Sequence, residues 1–388
     1  GIVAYLAAIS TQHRTEVVIA GVVGPLVEVL GSSAAHGRAK EHAALALQNV
    51  MQKSVEHERI VVQAGAIVPL VTLLRSGTPP EQEEAAAALR SMVINNIAEH
   101  EREIVAADAV PALIHLLATG NRDVQAQVAR ALMCLVDRMV EFMASEEPRS
   151  QEQGVWGILH LSATTPQHRK VIEKEGAVPC LVKLLEVGTE VGKERAICSI
   201  INLVAENTNL KIEVVDGGGV ALIVDFLQPD RPDVLKAKAA EALSHLAYHT
   251  NREHWMPIKE AGAIKLLVDL METESVEVQI EAIRTLRKMS EDVPALIKEF
   301  KEHNIQHFLM RMLAKPNEIA HLEALDIVRL LMMDLEDRNA LMRAGAGETL
   351  RALAEGASTP EVREKAAIVM SSLGQRGPQS GAANPVVS

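Results

Sequence analysis

The sequence predicts an all-α solenoid, one three-helix unit stacked about eight to nine times along 388 residues. Three observations predict it. The string AGAIVPLVTLL (64–74) recurs as AGVVGPLVEVL (20–30), ADAVPALIHLL (107–117), EGAVPCLVKLL (175–185), GGGVALIVDFL (217–227) and AGAIKLLVDLM (261–271), with weaker copies at 303–313 and 344–354. The second residues of these copies are Gly21, Gly65, Asp108, Gly176, Gly218, Gly262, Asn304 and Gly345, and all but one interval are close to 42 residues. Within a period an apolar pattern at i, i+3, i+4 and i+7 appears three times, broken by Gly, Pro or Asn signals, which is the mark of three helices. Finally, two Trp, two Tyr and four Phe are too few for an ordinary mixed core but suit thin layers of Ala, Leu and Val.

The elements follow in order. The first helix of a unit is short, as in TNLKIEVV (208–215), and the second is short and apolar, as in VALIVDFL (220–227). Between them a Gly or Asn marks a tight bend that needs positive φ or an absent side chain. The third helix is long and rich in Ala and Leu, as in EEAAAALRSMV (83–93). Residues 1–10 are expected to be a partial repeat holding only a third helix, so the chain reads as a fragment of a longer array. Repeats one to three are expected over 11–137, a truncated fourth over 138–163, repeats five to nine over 164–374, and a disordered tail over 375–388.

The period of roughly 42, the short-short-long helix order, the AGA-x-x-x-LV-x-LL second helix and an AAxALxNL third helix resemble the armadillo repeats, from residue 1 to about 374. HEAT repeats lack the last two features. The resemblance implies a right-handed superhelix whose third helices line a concave groove, and a protein-binding function.

The third helices align on the Asn of AAxALxNL, which reads Ala8, Asn49, Ser91, Cys134, His160, Asn202, His245, Lys288, Leu330 and Ser372. The step from Cys134 to His160 is 26 residues, against 41 to 43 elsewhere. The fourth unit is therefore expected to lack a helix and to bend the array near 138–155, with one short helix before Pro148. Two readings of the gap stand: a degenerate repeat that merely kinks the stack, or a secondary docking surface of exposed Met139, Phe142 and Met143.

The resemblance implies that Asn49 and Asn202 clamp the backbone of an extended partner, with Ser91 and His245 in lesser roles. Replacing Asn202 by Ala is expected to weaken binding without changing thermal stability. In importin-α-like members a Trp stands one turn before each Asn, but only Trp156 does so here, and it is followed by His160. A basic nuclear-localisation peptide is therefore not the expected ligand. Arg284, Arg287, Lys288 and Arg329 resemble the cationic groove by which β-catenin-like members hold acidic partners. Glu241 and Asp326 share the face of Arg284, so internal pairing is the competing reading.

Charge and composition exclude other classes. With Lys plus Arg at 39 against Asp plus Glu at 51, the net charge of −12 has the wrong sign for nucleic acid or an anionic membrane. No apolar run reaches 18 residues. His245 with His249, and His303 with His307, have helical chelate spacing but no matching Cys or carboxylate set. The glycine runs at 216–222 and 345–350 follow no strand and lack G-K-[ST]. Three cysteines form no framework, which points to a reducing, cytoplasmic setting. No cofactor, metal or small-molecule substrate is expected. The reading is a non-enzymatic scaffold that binds protein partners or extended peptides through the concave groove, with an extended acidic segment among the expected ligands. Its rivals are a permanent subunit of a cytoskeletal or ciliary assembly and a transport adaptor of importin type.

Overall fold

The computed structural model describes residues 1–35, 38–95, 97–247, 252–292, 299–300, 302–315 and 317–374. Helix makes up 80% of the described residues, and no strand occurs among them. His249 and the expected tail at 375–388 lie outside the described residues. The chain divides into two compact units, Gly1–Leu203 and Val204–Ser388.

The first unit opens with α1 (Ile2–Ile9), α2 (Thr11–Ile19), α3 (Val23–Gly31) and α4 (Ala39–Met51). Next come α5 (Val55–Gln63), α6 (Ile67–Ser76) and α7 (Pro79–Val93), then α8 (Ala98–Ala106), α9 (Ala109–Thr119) and α10 (Arg122–Met133). It closes with α11 (Val136–Ala144), α12 (Pro148–Ser162), α13 (Pro166–Lys174), α14 (Ala177–Val187) and α15 (Glu190–Val204). The third helices α1, α4, α7, α10 and α12 pack each on the next. Ala85, Ala86, Ala87 and Ala88 are all buried in α7. A helix with neighbours on several sides has no room for larger residues at four successive positions, which accounts for the alanine-rich third helices.

The second unit runs through α16 (Thr208–Asp216), α17 (Gly219–Asp225), α18 (Asp233–Ala247), α19 (Arg252–Glu260), α20 (Ala263–Leu270) and α21 (Val276–Asp292). After residues 293–298 it continues with α22 (Ile305–Leu313), α23 (Glu318–Leu331), α24 (Leu335–Arg343), α25 (Ala346–Gly356) and α26 (Pro360–Gly374). Its third helices α18, α21, α23 and α26 again pack in sequence.

Helix starts are set locally. Ser10, Ser54 and Thr165 each accept a hydrogen bond from the backbone N–H three residues on. All eight junction residues between first and second helices have positive φ, from 52° at Asn304 to 94° at Gly345. This left-handed bend is easy for glycine and costs any other residue. At Asp108 the bend is held by Arg75, whose Nη2 donates to the Asp108 carbonyl at 2.9 Å and to its carboxylate at 2.8 Å.

The short interval contains one helix, α11, where other repeats have two. Two kinds of contact show how it fits. Glu58 of α5 is fully buried, with His100 Nδ1 of α8 at 2.5 Å from Oε1 and Asn95 Nδ2 donating to Oε2 at 2.6 Å. One repeat later the equivalent Glu101 of α8 accepts from Arg138 Nε of α11 at 2.7 Å. Arg138 thus fills the place of His100, and α11 meets α8 as a first helix does. It also packs on α14, as second helices pack on one another.

The expected docking surface is corrected here. Met139 and Met143 are 0% and 1% exposed, and Phe142 is half-buried. They are covered because Gly154 and Gly157 let α12 come in close. A Cβ at Gly154 would stand 2.5 Å from the Met139 carbonyl oxygen and 2.9 Å from the Met143 nitrogen, and one at Gly157 would collide with the Met139 sulfur. The missing helix is compensated by close approach, which hides the methionines.

Candidate partner-binding surface on the third helices

In the first unit Asn49 is half-buried on α4 and donates from Nδ2 to the Ala4 carbonyl of α1 at 3.0 Å. Asn202 on α15 donates to the buried Ser162 Oγ of α12 at 3.1 Å. Both asparagines therefore join their third helix to the preceding one. Each retains an amide oxygen and a second N–H with no partner among the described residues. The bond to Ser162 corrects the expected thermal neutrality of Asn202→Ala: its loss costs about 1 kcal/mol. Ser91 donates to the Ala87 carbonyl of its own helix at 3.0 Å, a local bond that leaves its oxygen lone pairs.

Trp156 is half-buried, and the Arg195 guanidinium of α15 sits over its ring, 4.9 Å from the centroid. Arg195 is held by the Glu152 carbonyl, accepting from Nη1 at 3.3 Å. The His160 ring lies 5.7 Å from that of Trp156. Burial, and then the Arg195 charge, lowers the His160 pKa, favouring the neutral ring. The cation on this aromatic face is the chain's own. Sequence reading missed Arg195 because it lies seven residues before Asn202, off the aligned ladder and off the position one turn earlier.

In the second unit the pairing around Arg284 differs from the expected one. Arg284 donates to Glu281 at 2.5 Å and to Glu323 at 3.3 Å, and Arg287 also pairs with Glu323. Glu241 pairs instead with Lys238 at 2.9 Å, and Asp326 with Lys365 at 2.8 Å. Lys288 donates to Ser244 Oγ of α18 at 3.4 Å. Burial, and then Arg284 and Arg287, lowers its pKa, while Glu281 and Glu323 oppose this. His245 is shifted down by burial and then by Lys288. Arg329 is exposed and makes no ion pair among the described residues. His303 and His307 join no group of three or more metal-ligating residues among the described residues.

A further carboxylate stands out on α7. Burial, with Glu83 and then Glu41 nearby, raises Glu84 to about 7 from an ordinary value of 4.5. The folded pKa lies above the unfolded one, so the native state binds the extra proton and stability falls as pH rises from about 4.5 to 7. Glu84→Gln should therefore raise the urea midpoint at pH 8 by the equivalent of about 1 kcal/mol, after allowance for solvent screening, and leave it unchanged at pH 4. An equal gain at both pH values would show that the carboxyl charge is not the cause.

Repeated three-helix units, left-handed junctions and packed third helices define an armadillo solenoid. The chain is built of armadillo repeats: the family model for the Armadillo/beta-catenin-like repeat matches residues 54–94 and 251–291. It is similar to importin subunit alpha-1b of Oryza sativa subsp. japonica, 24% identical over 195 residues, covering 50% of this chain and 36% of that protein. U-box domain-containing protein 19 of Arabidopsis thaliana is 25% identical over 179 residues, covering 44% of this chain and 26% of that protein. The chain thus spans about a third of the length of the curated relatives it matches. Among solved structures, an engineered protein aligns over 97% of this chain and 94% of its own, at TM-score 0.60 and 26% identity. A designed armadillo repeat protein solved with the peptide (KR)4 aligns over 61% of this chain and 99% of its own, at TM-score 0.56 and 22% identity, a likeness of fold.

Proposed function

We propose that this chain is a non-enzymatic scaffold that holds extended segments of cytoplasmic partner proteins along its third helices. The observation that carries the reading is the state of Asn49 and Asn202. Each spends one N–H on the neighbouring third helix, which fixes the amide, and keeps a donor and an acceptor for a partner's backbone. Ser91 on α7 and His160 on α12 offer further polar atoms on other third helices of the first unit. In the second unit His245, Arg284 and Lys288 serve an acidic segment, supported by the exposed Arg329. Three half-buried free cysteines support the cytoplasmic setting. The transport-adaptor alternative draws on similarity to importin subunits. Against it, Arg195 already occupies Trp156, and Leu45, Ala87 and Cys198 stand where further tryptophans would be needed.

Panning a displayed library of random 12-residue peptides on the intact chain tests this. Selected peptides should lose roughly tenfold in affinity on Asn202→Ala, measured well below the unfolding transition, since an unsatisfied backbone N–H costs about 1–3 kcal/mol. Lys288→Glu should instead weaken acidic peptides chiefly at low salt. Equal affinity for both variants and the parent would place the site elsewhere.

A further inference from the structure

A cavity of about 780 Å³ opens in the second unit between the turn that joins α22 to α23 and the face of α25. Leu313, Ala352 and Leu353 give it an apolar wall. Two polar atoms in that wall have no partner, Asn317 Nδ2 and His321 Nδ1. The rest of each side chain is fixed. Asn317 Oδ1 accepts from the Ala320 N–H at 3.2 Å, and His321, 6% exposed, donates from Nε2 to the Lys315 carbonyl at 2.6 Å. What remains is one amide donor and, in the neutral ring, one acceptor. That pair complements a peptide group, which carries one of each. Glu318 and Glu348 also line the cavity, make no ion pair among the described residues, and outnumber the single Lys315. An acidic occupant is disfavoured.

We propose that this cavity takes an extended peptide, and that its occupant is the chain's own segment 375–388. Charge and shape agree. The segment has no acidic residue, its one charged side chain is Arg376, and Ala382, Ala383, Pro385, Val386 and Val387 are small enough for a wall of Ala and Leu. Its tether also fits. Ser358, at the cavity, lies two residues before α26 begins at Pro360, and the segment leaves α26 at its other end, after Gly374. The 15 residues of α26 span about 22 Å. The 14 residues that follow reach about 46 Å when extended, enough to run back along α26 with half their length left for the cavity. This docking is independent of the third-helix surface.

The test uses the full chain with p-benzoylphenylalanine in place of Val386, irradiated and digested. Cross-links should map to 313–321 and 348–358. Ala352→Trp, on the exposed side of α25, should fill the cavity and cut the yield at least tenfold while the circular dichroism stays unchanged. Arg376→Glu, which sets a like charge against Glu318 and Glu348, should lower the yield several-fold. Cross-links scattered along the chain, or unaffected by either change, would overturn the proposal. So would links joining isotope-labelled to unlabelled chains, which would make a second copy the occupant.

Discussion

Gly154→Ala should destabilise the first unit by about 2 kcal/mol or more, although alanine is the better helix former by about 0.5–1 kcal/mol. The added Cβ meets backbone atoms of α11, the Met139 carbonyl oxygen and the Met143 nitrogen, and neither can move without shifting the helix. Gly157→Ala is the control. Its Cβ meets the thioether of Met139, a flexible side chain that can take another rotamer, so its loss should stay within about 1 kcal/mol. Urea unfolding of both variants decides the matter. Similar stabilities would mean that α11 can slide away from α12, and that the close approach is not what covers Met139 and Met143.

Arg138→Ala should cost about 3 kcal/mol, because it strips the partner from Glu101, whose side chain is 2% exposed. The reverse change should be milder. Glu101→Ala leaves Arg138 with Glu141 at 2.6 Å and Asp137 at 3.5 Å, on the more exposed side of the helix. About 1 kcal/mol is expected for it, and the double variant should lie closer to Glu101→Ala than to Arg138→Ala. If both single variants cost the same, the bond is not what ties α11 into the row of first helices.

The repeat was legible in the sequence because its most demanding positions are conformational. A left-handed residue is needed at one place in each unit, and Gly, Asn or Asp stands there every time, so eight junctions could be read directly. Ladder positions were legible for the same reason of register. What the side chains do across the ladder was not. Arg195 reaches Trp156 from the adjacent third helix, a juxtaposition that depends on how α15 lies on α12. Glu323 rather than Asp326 meets Arg284 because the helices are offset by about one turn. One of the two readings of the gap left Met139 and Met143 exposed, on the count of missing helices. Two glycines three residues apart, facing an apolar helix, were the signal that α12 would approach closely enough to cover them.

The row of third helices is unbroken through the first unit. α10 packs on α12, and α15 is bonded to α12 through Asn202 and Arg195, even though the interval between Cys134 and His160 is short. The shortening fell on the first two helices and spared the rungs. A ligand that advances one step per third helix keeps its reading frame across the short repeat, as a tape does when the spool behind it is narrowed. On the function proposed above, insertions and deletions in the first and second helices would be silent to the register of a partner, and loss of a single third helix would be a frameshift in recognition.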